Sequence, residues 1–178
     1  MRRLTFAQRL ALLVIIIGVP VGLWWWLDCG PATTMMIVRH ADRPTTGEDA
    51  LTAAGVARAA DLAHVAGKAG LAGVYSTDTI RTRQTAAPVA AALGLTTEIY
   101  AAADSAGLVA RIVTDHGGGT VLVVGHSNTV NAIIAAAGGP VLPDIGDTEF
   151  DNLFVLTACR CRRGLATLVN LQYGASSP

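Results

Sequence analysis

The chain has 178 residues, 52% of them hydrophobic, and its thirteen basic residues balance thirteen acidic ones. That length and apolar content suit one domain with a sizeable core plus an appended segment. Zero net charge excludes the bulk electrostatic footprint that nucleic-acid binding uses, so no nucleic-acid partner is expected.

The first element is LALLVIIIGVPVGLWWWL, residues 10–27, apolar throughout. A bilayer-spanning helix needs ~20 such residues, and ~18 already qualifies. Arg2, Arg3 and Arg9 precede the run, and Trp24, Trp25 and Trp26 close it. That is the pattern of a span whose N-terminus stays in the cytoplasm while the rest is exported. A cleaved signal peptide, a lipoprotein site at Cys29 and a buried core helix are the alternatives; the first two want small residues that the sequence does not place before the cut, and a core helix is rarely apolar on every side. The expected division is a membrane anchor or signal segment at 1–28, a linker at 29–33 and a domain at 34–178 outside the cytoplasm.

TTMMIVRH then reads as a strand buried on both faces, and ADRPTTGEDA as a loop. Thr52 is the expected N-cap of a helix whose inner face would carry Val56, Ala60, Ala63 and Ala66. AGVYST is a second strand. Residues 79–93 form a helix that Gly94 ends and Pro88 interrupts. TTEIY is a third strand, 105–116 a helix, and TVLVVG the clearest strand of all. HSNTVNAIIAAAGG opens another helix. FDNLFVLTA and LATLVNLQY, on either side of CRCRRG, form an antiparallel pair. Alternation of this kind predicts an α/β fold with a mostly parallel central sheet flanked by helices. Cys29, Cys159 and Cys161 make an odd count, and a lone C-x-C is a weak metal signal, so neither metal nor cofactor is expected.

In open α/β sheets, sites form beyond the C-terminal ends of the strands. One strand here ends on Arg39-His40, another on Ser76 with Arg81 just beyond, and another on Gly125-His126-Ser127. Imidazoles, guanidiniums and helix N-termini would thus converge into an anion pocket on a chain with no net charge. Phosphoryl transfer is the chemistry that such a pocket suits. Arginine forks match phosphate oxygens, and a histidine with one ring nitrogen free can attack phosphorus.

At these residues the chain resembles the histidine phosphatase superfamily, with its phosphoglycerate mutase-like fold. Val38-Arg39-His40-Ala41 stands where that family has a strand followed by Arg-His-Gly. LTAAGVARA matches its Leu-Thr-x-x-Gly helix start, YSTDTIRTRQTA its Arg and Gln-Thr-Ala segment, and VLVVGHSNTV its Gly-His strand end. The resemblance implies that His40 is the nucleophile and becomes phosphorylated. It implies that Arg39, Arg81 and His126 bind the phosphoryl group. Larger members use a carboxyl group as the proton donor. Asp104 is the expected one here, with Glu149 and Asp42 as the other candidates. The expected function is a phosphohydrolase acting on a small phosphorylated substrate. A mutase and a catalytically inactive membrane-anchored binding module of the same fold are the alternatives. The loop ADRPTTGEDA and the segment PVLPDIGDTEF are expected to line the pocket, where their acids would limit the charge a substrate can carry.

Overall fold

A computed structural model of the protein describes Thr5, Ala7 and residues 14–19, 31–159 and 166–177. The chain divides into two compact units, Met1–Gly30 and Pro31–Pro178. In the first, the described residues include a π-helical turn at Val14–Gly18. No helix among the described residues is long and apolar enough to cross a membrane. The span expected at 10–27 lies for the most part outside the described residues, as does the CRCRRG turn beyond Cys159.

The second unit runs β1 (Thr33–Arg39), α1 (Ala53–Ala66), β2 (Leu71–Thr77), α2 (Ile80–Leu93), β3 (Thr97–Tyr100), α3 (Ser105–Asp115), β4 (Thr120–Gly125), α4 (Ser127–Ala136), β5 (Asn152–Ala158) and β6 (Thr167–Gln172). The strands form one sheet in the order β3-β2-β4-β1-β5-β6. Strands β3, β2, β4 and β1 are parallel, while β5 runs antiparallel to β1 and β6 antiparallel to β5. The sheet is therefore mixed. The terminal hairpin read from FDNLFVLTA and LATLVNLQY supplies its antiparallel edge.

Successive side chains of a strand point to opposite faces, and both faces of β1 and β4 are covered. Met35 and Ile37 of β1, with Val121 and Val123 of β4, pack with Val109 and Ile112 of α3 and Ile133 of α4. Met36, Val38, Leu122 and Val124 pack on the other side with Leu62 of α1 and Val89 of α2. The result is helix layers on both sides of a sheet whose central strands β1 and β4 carry apolar runs at 35–38 and 121–124.

Helix α1 begins as expected. The Thr52 hydroxyl accepts from the Gly55 amide at 3.1 Å. Its buried face differs from the expected one: Gly55, Arg58, Ala59, Leu62 and Ala66 point inward, whereas Val56 is 58% exposed. An apolar pattern could not reveal this, because one inward residue is an arginine. Arg58 donates through Nε to Asp42 at 2.6 Å, and through Nη1 to the carbonyls of Tyr173 (3.1 Å) and Ala175 (2.7 Å). A buried cation satisfied in this way sets the rotation of the helix. Gly55 is fixed by proximity, since a Cβ there would lie 2.2 Å from the Asp42 carbonyl oxygen. Helix α2 ends on Gly94 in the left-handed conformation, φ 65°, as its sequence predicts.

Candidate active site

Parallel pairing of β1 with β4 sets Arg39 opposite Gly125. The next residue on each strand is a histidine. The His40 amide continues the ladder by donating to the Gly125 carbonyl at 2.9 Å. The imidazoles of His40 and His126 consequently face each other, with ring centroids 5.5 Å apart and planes at 64°. Gly125 has no room for a side chain, because a Cβ would sit 2.5 Å from the Thr129 hydroxyl and 2.9 Å from that of Tyr100.

His40 is 3% exposed, and its Nδ1 lies 2.9 Å from the Ala41 carbonyl oxygen. A carbonyl only accepts, so Nδ1 carries the hydrogen and Nε2 keeps its lone pair. Burial, followed by the charges of Arg39 and Arg81, pushes the His40 pKa down to about 3. The ring is thus neutral, in a fixed tautomer, with an Nε2 lone pair that can act as a nucleophile. His126 is pushed down to about 4 by burial first and then by Arg81 and Arg39. Its Nδ1 stands 3.2 Å from Nη2 of Arg81, and its Nε2 stands 2.9 Å from the Thr77 hydroxyl. A guanidinium can only donate, so Nδ1 accepts and Nε2–H donates to Thr77.

Arg39 is buried beneath Phe150, its guanidinium carbon 4.4 Å from the ring centroid. Its Nη1 donates to the carbonyls of Gly146 (2.6 Å) and Glu149 (3.1 Å). Both come from the segment before β5 that the sequence placed at the pocket. The Nε atoms of Arg39 and Arg81 are buried donors with no protein acceptor among the described residues. A phosphoryl oxygen is a natural acceptor for such groups.

The expected carboxylates take other partners. Asp104 is exposed and caps α3, with Oδ1 accepting from the Gly107 amide at 2.8 Å. Asp42 is bound to Arg58, and Glu149 accepts from the Gly146 amide at 3.2 Å. Ser76 turns its hydroxyl to the Thr77 carbonyl, and it is Thr77 that reaches His126.

The loop after β1, expected at the pocket, supplies residues that the sequence did not single out. Asp49, from the loop after β1, forms an ion pair with Nη1 of Arg81 and accepts from the Ile80 amide at 2.9 Å. Arg43 contributes positive field at Arg39, Arg81 and His126. The Gln-Thr-Ala segment braces the nucleophile's loop. Oε1 of the Gln84 side chain accepts from the Leu51 amide at 2.8 Å, the Thr85 hydroxyl accepts from Ala41 N–H at 2.9 Å, and Ala86 is fully buried.

Residues 35–104 match the family described as Histidine phosphatase superfamily (branch 1). No curated protein matches the chain in a sequence comparison. Among solved structures, the mycobacterial glucosyl-3-phosphoglycerate phosphatase superposes with a TM-score of 0.63 at 18% identity, covering 82% of this chain and 100% of that one. The protein histidine phosphatase SixA complexed with tungstate gives 0.61 at 22% identity, with 78% and 96% covered. "Mycobacterial hydrolase 2" gives 0.61 at 17%, with 83% and 92% covered. At these identities the structural likenesses establish the fold. Over residues 35–104, which bear Arg39, His40 and Arg81, the chain is similar to the histidine phosphatase superfamily (branch 1), and its fold is that of those solved structures.

Proposed function

We propose that the protein is a phosphohydrolase that cleaves a phosphomonoester through a phosphohistidine on His40. The observation that carries this reading is the His40 tautomer: a buried, neutral ring with Nδ1–H held by the Ala41 carbonyl, beside Arg39, Arg81 and His126. Nε2 of His40 attacks phosphorus, a P–N bond forms, and the ester P–O bond breaks. The leaving oxygen takes its proton from solvent water. Arg39 and Arg81 hold the equatorial oxygens, and His126 donates a hydrogen bond to them once an oxyanion competes for its ring. Water then attacks phosphorus, the P–N bond breaks, and inorganic phosphate leaves.

Support from relatives is at the level of chemistry. One solved structure of the mycobacterial glucosyl-3-phosphoglycerate phosphatase is a complex with inorganic phosphate, and the SixA structure contains tungstate, a phosphate-like oxyanion. The apolar run at 10–27 behind Arg2, Arg3 and Arg9 supports an anchored enzyme whose domain faces away from the cytoplasm. Protease accessibility in intact cells and spheroplasts tests that placement, and a domain digested only after lysis of the inner membrane would refute it.

The deciding experiment mixes the full-length protein with an aryl phosphate and follows turnover together with acid-labile phosphate on the protein. Parent protein should show both, and His40→Ala neither. A parent that binds vanadate yet forms no labile phosphate would mark a binding module. Labile phosphate that persists in water would mark a mutase.

A further inference from the structure

Arg81 presents two edges. Nη2 lies 3.2 Å from His126 Nδ1, on the side of the paired histidines. Nη1 is taken by Asp49, whose second oxygen accepts the Ile80 amide at the start of α2 at 2.9 Å. The pair is substantially shielded, with Arg81 21% and Asp49 35% exposed. Asp42, Glu149 and Asp104 spend their carboxylates elsewhere, as described above. Arg43 adds positive field at Arg81, but its side chain is exposed, so water and salt screen it.

We infer that Asp49 selects substrates by charge. Resting on the phosphatase reading above, it leaves the Nη2 edge of Arg81 to one phosphoryl group and denies the Nη1 edge to a second anion. The substrate class is a monophosphate ester on an otherwise uncharged body, in preference to a bisphosphate. The physical reason is competition. A second phosphate or carboxylate arriving at Nη1 must displace a carboxylate already bonded there, and meets its negative charge while doing so. The single phosphoryl group at the histidines meets neither obstacle.

Asp49→Asn removes the charge and keeps an oxygen for the Ile80 amide. Titration calorimetry on the full-length protein, with inorganic phosphate and pyrophosphate as probes, reads the effect without turnover. In the parent, phosphate should bind at least as tightly as pyrophosphate. In Asp49→Asn, pyrophosphate should tighten about tenfold, the equivalent of one charge-assisted hydrogen bond, while phosphate shifts less than about threefold. Asp49→Glu, which keeps the charge, should retain the parental order and guards against a misfolded Asn variant. Equal tightening of both anions, or none, would overturn the role of Asp49 and leave the phosphatase reading standing. A parent that binds neither phosphate nor vanadate would overturn both.

Discussion

At the scale of single residues, the site depends on keeping two imidazoles neutral. A histidine ordinarily titrates near 6.5. Here burial comes first and the guanidiniums second, and they hold His40 near 3 and His126 near 4. Lowered values mean that neither ring takes up a proton until the solution is well below pH 5. NMR of the imidazole resonances should therefore find both rings in the neutral form from pH 8 to pH 5, and a transition near pH 6.5 in either would refute the arrangement. Asp104 is decided by a pair of substitutions. Asp104→Ala removes the α3 cap and should cost about 1 kcal/mol of stability. Asp104→Asn keeps a capping oxygen and removes only the acid, so unchanged kcat would confine the residue to capping. A kcat loss of about a hundredfold or more would instead restore it as proton donor. The Arg39 fork is held by the Gly146 carbonyl and the Phe150 ring, so on the proposed function Arg39→Lys should lower kcat/KM by about a hundredfold or more with little change in melting temperature.

At the scale of elements, the motifs divide into residues that face the paired histidines and residues that hold the loop carrying His40. Gly55 belongs to the second group. Its Cβ position is blocked by backbone at Asp42, two residues after His40. Gly55→Ala should therefore push helix and loop apart, lowering stability by about 1–3 kcal/mol and kcat along with it. Full activity in a stable Gly55→Ala protein would show that the loop tolerates the shift. The same elements show what the sequence could disclose. The strands, the Thr52 cap, the Gly94 stop and the four core site residues follow from apolar runs, φ preferences and strand-end positions. The inner face of α1 does not, because Arg58 is buried through a partner sixteen residues away in sequence. The acidic loop after β1 was legible as a pocket element, but the choice of Asp49 within it was not: its partner Arg81 lies thirty-two residues on, and one acid among several carries no periodic signal.

At the scale of the whole molecule, the paired histidines sit where they weaken the fold in acid. Folding forces His40 and His126 to stay neutral in a site lined with guanidiniums, whereas in the unfolded chain both are free to protonate below about pH 6.5. Between that pH and about 4 the unfolded state binds more protons, so stability rises with pH and falls as the solution is acidified. Each proton contributes a slope of about 1.4 kcal/mol per pH unit at most, so the pair can contribute roughly 3. Above about pH 5 most carboxylates stay ionised, so the upper part of this window isolates the histidine contribution. Denaturant unfolding at half-unit steps from pH 7.5 to 4.5 should show the slope, and His40→Asn should remove about half of it while raising stability at the acid end. An equal slope in parent and variant would mean that the rings are not held neutral. Arg58→Ala supplies the contrast. It unties the loop after His40 from the C-terminal segment at Tyr173 and Ala175, and should cost about 3 kcal/mol at every pH in that range. A loss that is constant with pH for the brace, and one that changes sign with pH for the nucleophile, would separate what the fold needs from what the chemistry demands of it.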